Sequence, residues 1–199
     1  MSLFLPNKSL VLASASPRRR QFLSDLGLQF TVVPAELDEI PMLGEMPAAF
    51  ALRMAAEKAA AVARLRPESW VLGADTVVTL AGEIIGKPAD AAHALEILRK
   101  LRGRTHEVIT GVALNCVQER CAECVTETTQ VTFADFSDAV LAAYVRTGEP
   151  LDKAGAYGIQ AGGAFLVNAL RGSCSNVIGL PLHRCIDLLL RHGVISPRP

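Results

Sequence analysis

Asp75 interrupts an otherwise apolar run, WVLGADTVVTL over residues 70–80. A carboxylate among valines and leucines is expensive to bury unless it meets a metal, a cation or a proton. The position suits a metal ligand or a general base. The simpler alternative is an aspartate that accepts loop N–H groups. A second group is Ser14-Ala-Ser16-Pro17-Arg18-Arg19. Its small residues let backbone N–H groups approach a ligand, and a helix starting at Pro17 would aim unpaired donors and a partial positive charge at an anion such as phosphate. Arg18 and Arg19 in a first helical turn oppose that helix's own dipole, a local conflict that hints at function. A capped helix with solvated arginines is the other reading.

Four further segments carry weaker signals. Asp38-Glu39 is a pair of adjacent carboxylates in a loop, and Glu57-Lys58 lies in an Ala-rich helix; alone, each reads as a solvated surface feature. Gly82-Glu-Ile-Ile-Gly86-Lys87-Pro88 has the outline of a phosphate-binding loop but fails its rule. Three residues rather than four separate the glycines, and Pro88 replaces the hydroxyl residue and disfavours helix at Lys87. Lys87 can still meet a phosphate as a point charge. Residues 151–160, LDKAGAYGIQ, combine glycines that permit close backbone approach with Gln160, whose amide offers a donor and an acceptor to a base edge. His106 at a strand start reads as structural. The five cysteines are odd in number, so free thiols are expected. Cys116, Cys121 and Cys124 include a CxxC, but no second CxxC or HxxxH follows, and the cluster reads as part of a hairpin rather than a zinc site.

The elements that must hold these residues are readable from period and punctuation. Residues 9–13 read as a short buried strand, followed by a helix capped by Ser16 with Pro17 at its first position and stopped by Gly27. A strand over 29–33, a loop over 34–46 and a long helix over 47–65 come next. Residues 70–80 read as a strand broken near Gly73, continued by 83–85. Asp90 caps a helix whose Ala94, Leu95, Leu98 and Leu101 recur at helical spacing. Residues 106–114 and 123–133 form long β runs around the cysteine hairpin, with no helix between them, so that pair is antiparallel. A helix capped by Ser137, a Gly-rich stretch over 155–167 ending in a strand, a short strand over 175–178 and a helix from Pro181 to Leu190 complete the reading. Residues 1–8 and 194–199 are expected to be peripheral tails of one domain spanning 1–199. Interleaved helices and strands imply an α/β fold with a mixed, twisted sheet and flanking helices.

Composition sets limits. The chain has 199 residues, with 20 Lys+Arg against 20 Asp+Glu, and half its residues are hydrophobic. That length suits one domain with a sizeable core. Zero net charge and few aromatics argue against a nucleic-acid polymer as partner. No apolar run approaches the roughly 20 residues that span a bilayer, and the N-terminus lacks the pattern of a signal peptide. A cytoplasmic protein with no membrane partner is the expectation.

Taken in order, Ala13-Ser-Ala-Ser-Pro-Arg-Arg19, Gly73-Ala-Asp-Thr-Val-Val78, Gly86-Lys-Pro88, residues 148–160 and Val177-Ile-Gly-Leu-Pro-Leu182 resemble the Maf family of nucleoside triphosphate pyrophosphatases. The resemblance runs from about Leu10 to Leu190. It implies two lobes around a central cleft (a Maf/ITPase-like fold), often a homodimer, and cleavage of a nucleoside triphosphate into monophosphate and pyrophosphate with a divalent metal cation, Mg²⁺ or Mn²⁺. By the match, Asp75 is the proton acceptor. Ser14, Arg18, Arg19, Lys58 and Lys87 contact the triphosphate, and Glu39 lies with Asp75 near the metal or pocket. Arg18, Thr76 and Gln160 are the residues of the branch that hydrolyses dTTP and UTP. The alternatives are the branch that prefers 7-methyl-GTP and a nucleotide-binding regulator of cell division without catalysis. Ala161 departs from the family's usual Gly, and Cys174 from its usual aromatic.

Overall fold

The structure, a computed structural model, describes residues 3–199. Its elements run β1 (Phe4–Pro6), β2 (Leu10–Leu12), α1 (Pro17–Asp25), β3 (Thr31–Val32), α2 (Pro47–Leu65), β4 (Trp70–Leu80), β5 (Glu83–Ile85), α3 (Ala91–Leu101), β6 (Thr105–Cys116), β7 (Cys121–Phe133), α4 (Asp138–Val145), β8 (Val167–Arg171), α5 (Cys174–Ile178), α6 (Leu182–Arg191) and β9 (Ile195–Pro197). A seven-stranded sheet has the order β3-β2-β4-β6-β7-β8, with β5 also on β4. It is mixed: β2 lies parallel to β3 and β4, whereas β5 is antiparallel to β4 and β8 to β7. The mixed α/β class expected from the interleaved pattern is the one observed.

The chain gathers into two compact units. The first holds everything up to Asp75 together with Thr110–Glu127 and Gly179–Pro199; the second holds Thr76–Ile109 and Thr128–Ile178. In the first unit, strand alternation sorts side chains onto two faces. Leu10, Leu12, Trp70, Leu72, Val112 and Leu114 join Leu23 of α1 and Leu188 and Leu189 of α6 in one core. Val11, Val71 and Ala113 face the opposite way, against Ala55, Ala59, Val62 and Ala63 of α2. Each fully buried leucine contributes about 1.5–3 kcal/mol. The second unit has its own core, in which Val78, Ile97, Leu98, Val131, Leu141 and Leu166 pack with Tyr144 and Tyr157. Among the described residues no helix is long and apolar enough to cross a membrane.

Three local expectations change. Strand β4 has no break at Gly73; the glycine is there because α2 lies on it. A Cβ at Gly73 would fall inside van der Waals contact with Ala55 O and Ala59 of α2, and one at Gly111 of β6 would do the same with Ala51 O. Residues 174–178 form a short helix rather than a strand, because the Ser173 hydroxyl accepts the Asn176 N–H (3.3 Å) and turns the chain. The segments expected as tails contain strands: β1 and β9 pair antiparallel, with Leu5 opposite Ser196.

Candidate active site

In the first unit the edge of β4 changes partner around the predicted aspartate. Strand β2 pairs with β4 only as far as Leu72, and β5 pairs with it only from Val78 onward. The backbone between them needs other partners. Arg19, buried on α1, supplies one: its Nη1 donates to Ala74 O (2.8 Å) and to Ser14 Oγ (3.1 Å), and its Nε donates to Gly179 O (2.8 Å). Burial depresses the Arg19 pKa below that of a free guanidinium, and the nearby Asp75 and Glu39 carboxylates oppose that effect. The Ser14 hydroxyl also accepts the Ser16 N–H (3.2 Å), and Ser16 caps α1 through the Arg19 N–H (3.4 Å). The two arginines of the first turn therefore differ. Arg19 ties the helix start to the strand end, and Arg18 beside it is half-buried.

Asp75 lies on the α2 face of β4 and is buried. Its Oδ1 accepts a hydrogen bond from Lys58 Nζ at 2.6 Å, and the same ammonium donates to Glu39 Oε1 at 2.5 Å. The Lys58 and Asp75 side chains are each only 8% exposed, whereas Glu39 is half exposed. Lys58 is thus no half of a surface pair with Glu57. It is a buried cation between two carboxylates, while Glu57 goes to Arg53 (3.2 Å). A buried aspartate in this setting is tolerable because the ammonium compensates it. An ammonium carries three protons, and the two carboxylates engage two of them.

The loop beside Glu39 is held by a residue that sequence reasoning missed. Arg53 of α2 makes a two-pronged contact with Glu45 (2.7 and 2.8 Å), and its Nη2 also donates to Ile40 O (3.0 Å), the residue next to Glu39. The guanidinium holds the Glu45 carboxyl down at about 2. No periodic pattern marks an ion pair that spans a loop and a helix start. The only available signal was an arginine one helical turn ahead of Glu57.

Thr76, Lys87 and Gln160 belong to the second unit. Thr76 follows Asp75 on β4, with its side chain on the opposite face by strand alternation. Lys87 is exposed in the turn after β5, and that turn is joined to the Gly-rich segment by Gly155 N–H donating to Gly86 O (3.1 Å). Gln160 is exposed in a turn between short 3₁₀ segments. All five cysteines are free thiols. Burial raises the Cys121 and Cys124 thiols, and Glu123 adds to both shifts. Buried His106 bonds Tyr157 Oη through Nε2 (2.9 Å), as a structural histidine should.

Glu39 and Asp75 offer hard carboxylate oxygens of the kind Mg²⁺ or Mn²⁺ accepts. Among the described residues no group of three His, Cys, Asp or Glu is gathered to hold an ion by protein ligands alone. Two carboxylates are a partial donor set, and a divalent cation would need further oxygen ligands.

A family model described as "Maf-like protein" matches residues 9–192. A dTTP/UTP pyrophosphatase of Desulfotalea psychrophila is 48% identical over 190 residues, covering 96% of this chain and 97% of that protein. One of Myxococcus xanthus is 51% identical, covering 94% of each, and one of Geobacter sulfurreducens is 47% identical, covering 94% and 97%. Among solved structures, the Staphylococcus aureus Ham1 protein is 17% identical with a TM-score of 0.47, covering 64% of this chain and 73% of that one.

Proposed function

The chain belongs to the Maf family, and on that premise we propose that it hydrolyses dTTP and UTP to the nucleoside monophosphate and pyrophosphate. Relatives of that name are 47–51% identical over nearly the full chain. The observation that carries the chemistry is Lys58 bridging Asp75 and Glu39. A triphosphate brings several negative charges, and a water attacking phosphorus must lose a proton. Asp75 is the proton acceptor in this reading: Lys58 fixes its Oδ1, leaving the second oxygen for the water. Lys58 then has a further proton for a phosphate oxygen and keeps the two carboxylates from repelling the substrate. Arg18, Lys87, Ser14 and Arg19 are proposed as additional phosphate contacts, with Ser14 and Arg19 also shaping the strand end.

A divalent cation is part of the proposal; Glu39 and the phosphates would hold it, with Asp75 beside it as the base. Such a cation, when bound, neutralises charge on the phosphate oxygens. Arg18, Thr76 and Gln160 match the dTTP/UTP branch and are proposed to select the base.

The test is a panel of dTTP, UTP, GTP and 7-methyl-GTP with products separated by chromatography, with and without added Mg²⁺ or Mn²⁺. Pyrophosphate release from dTTP and UTP is expected. Orthophosphate release would sink the reaction, preference for 7-methyl-GTP would sink the branch, and binding without turnover would favour a regulator. Asp75→Asn should lower kcat by about a hundredfold or more while dTTP binding survives; an active variant removes Asp75 from the base role.

A further inference from the structure

Gln160 stands between backbone positions captured by one carboxylate and one phenol. Glu149 Oε2 accepts the Gly162 N–H (2.9 Å), and Glu149 Oε1 accepts the Gly163 N–H (3.4 Å) and the Tyr144 O–H (3.0 Å). Tyr144 Oη in turn accepts the Gly158 N–H (3.2 Å). The backbone is thus gripped two residues before Gln160 and two and three residues after it. A side chain at Gly162 or Gly163 would displace the clamp. A Cβ at Gly162 would lie 2.6 Å from Glu149 Oε2, and one at Gly163 would lie 2.5 Å from Tyr144 Oη. The clamp is itself anchored, since Lys153 Nζ donates to Glu149 O (2.7 Å). The Glu149 side chain, an acceptor with no proton to give when ionised, suits a cluster made of donors only.

We propose that Glu149 and Tyr144 are positioning residues that set nucleobase selectivity by fixing the turn that carries Gln160. The inference rests on Gln160 reading the base. Uracil and thymine present an N–H beside a carbonyl, which an amide matches with its oxygen and NH₂, whereas cytosine presents a bare ring nitrogen beside an NH₂ and needs the amide turned over. The amide discriminates only if it is held in place, because a displaced amide reorients to suit another donor and acceptor pair. Glu149→Gln keeps the size but puts an NH₂ against either the Gly162 N–H or the Gly163 and Tyr144 donors, so one side of the clamp opens. Tyr144→Phe removes the donor to Glu149 and the acceptor for Gly158.

The experiment measures kcat and KM for dTTP, UTP and CTP in wild type, Glu149→Gln, Tyr144→Phe, Gln160→Ala and the Glu149→Gln/Gln160→Ala double variant, with melting curves to establish folding. Glu149→Gln should raise KM for dTTP and UTP about tenfold with kcat within about twofold, and shift the UTP-to-CTP preference toward that of Gln160→Ala. In the Gln160→Ala background the same change should move that preference less than about twofold. If Glu149→Gln does not fold, Tyr144→Phe is expected to show the same shift more weakly. The inference is overturned if Gln160→Ala collapses the preference while both clamp variants keep it, or if they weaken all nucleotides alike. If Gln160→Ala leaves the preference intact, the reading of Gln160 fails and takes the inference with it.

Discussion

Lys58 is fixed by two carboxylates from different parts of the chain, and one of them needs help to stay. Asp75 is rigid within β4, but Glu39 is carried by a loop that burial does not hold: Ile40 is 69% exposed and Leu43 fully exposed. Arg53 supplies the restraint through Glu45 and Ile40 O. Arg53→Ala is therefore expected to lower kcat/KM by about ten- to a hundredfold, as small misplacements near reacting groups do. Arg53→Lys should recover only part of this, because an ammonium cannot reproduce the two-pronged contact. If the effect runs through Glu39, adding Arg53→Ala to Glu39→Ala should cost little more; additive losses in steady-state kinetics would refute the link. The Glu45 carboxyl is pulled below its ordinary range, so its contribution is complete above about pH 4.5 and lost as pH falls through about 2. The tether should hold across any practical assay pH.

At the scale of elements, the site exists because a helix comes unusually close to a sheet. Gly73 and Gly111 remove the side chains that would keep α2 away, and Ala51, Ala55 and Ala59 present a matching small surface. That approach carries Lys58 to Asp75. Gly73→Ala or Gly111→Ala should destabilise the protein by about 1–3 kcal/mol in urea denaturation and reduce turnover, since α2 must lift with Lys58 on it. Wild-type stability and activity in both variants would show that the close approach is dispensable. This contact also marks what the sequence could reveal. Asp75 was legible because a carboxylate in an apolar run is anomalous, and α2 was legible from its Ala-rich composition. Lys58 was not separable from a surface pair with Glu57, because its burial depends on the depth at which α2 docks. Gly73 was misread as a break, since a glycine in a strand signals irregularity and close approach alike. The partners of Arg53 and Glu149 were not legible, as contacts between a loop and a helix have no period.

At the scale of the whole molecule, zero net charge conceals a concentration of opposite charges, and acid should reveal a second imbalance in the core. His106 is 1% exposed, with Nε2 bonded to Tyr157 Oη and with Phe133 and Tyr157 edge-on to its ring. Its buried Nδ1 has no partner among the described residues. Burial pushes its pKa down to about 4, against about 6.5 in an unfolded chain. Between those values the unfolded chain binds a proton that the fold refuses. This contribution is therefore complete above pH 6.5 and lost as pH falls toward 4, with a limit of about 3 kcal/mol. Urea unfolding at pH 7 and pH 5 should differ by about 2 kcal/mol from this residue. His106→Gln should be less stable at pH 7 but lose less stability on acidification, because it has nothing to protonate. Equal losses in the two proteins would mean that the buried imidazole is not the acid-sensitive group.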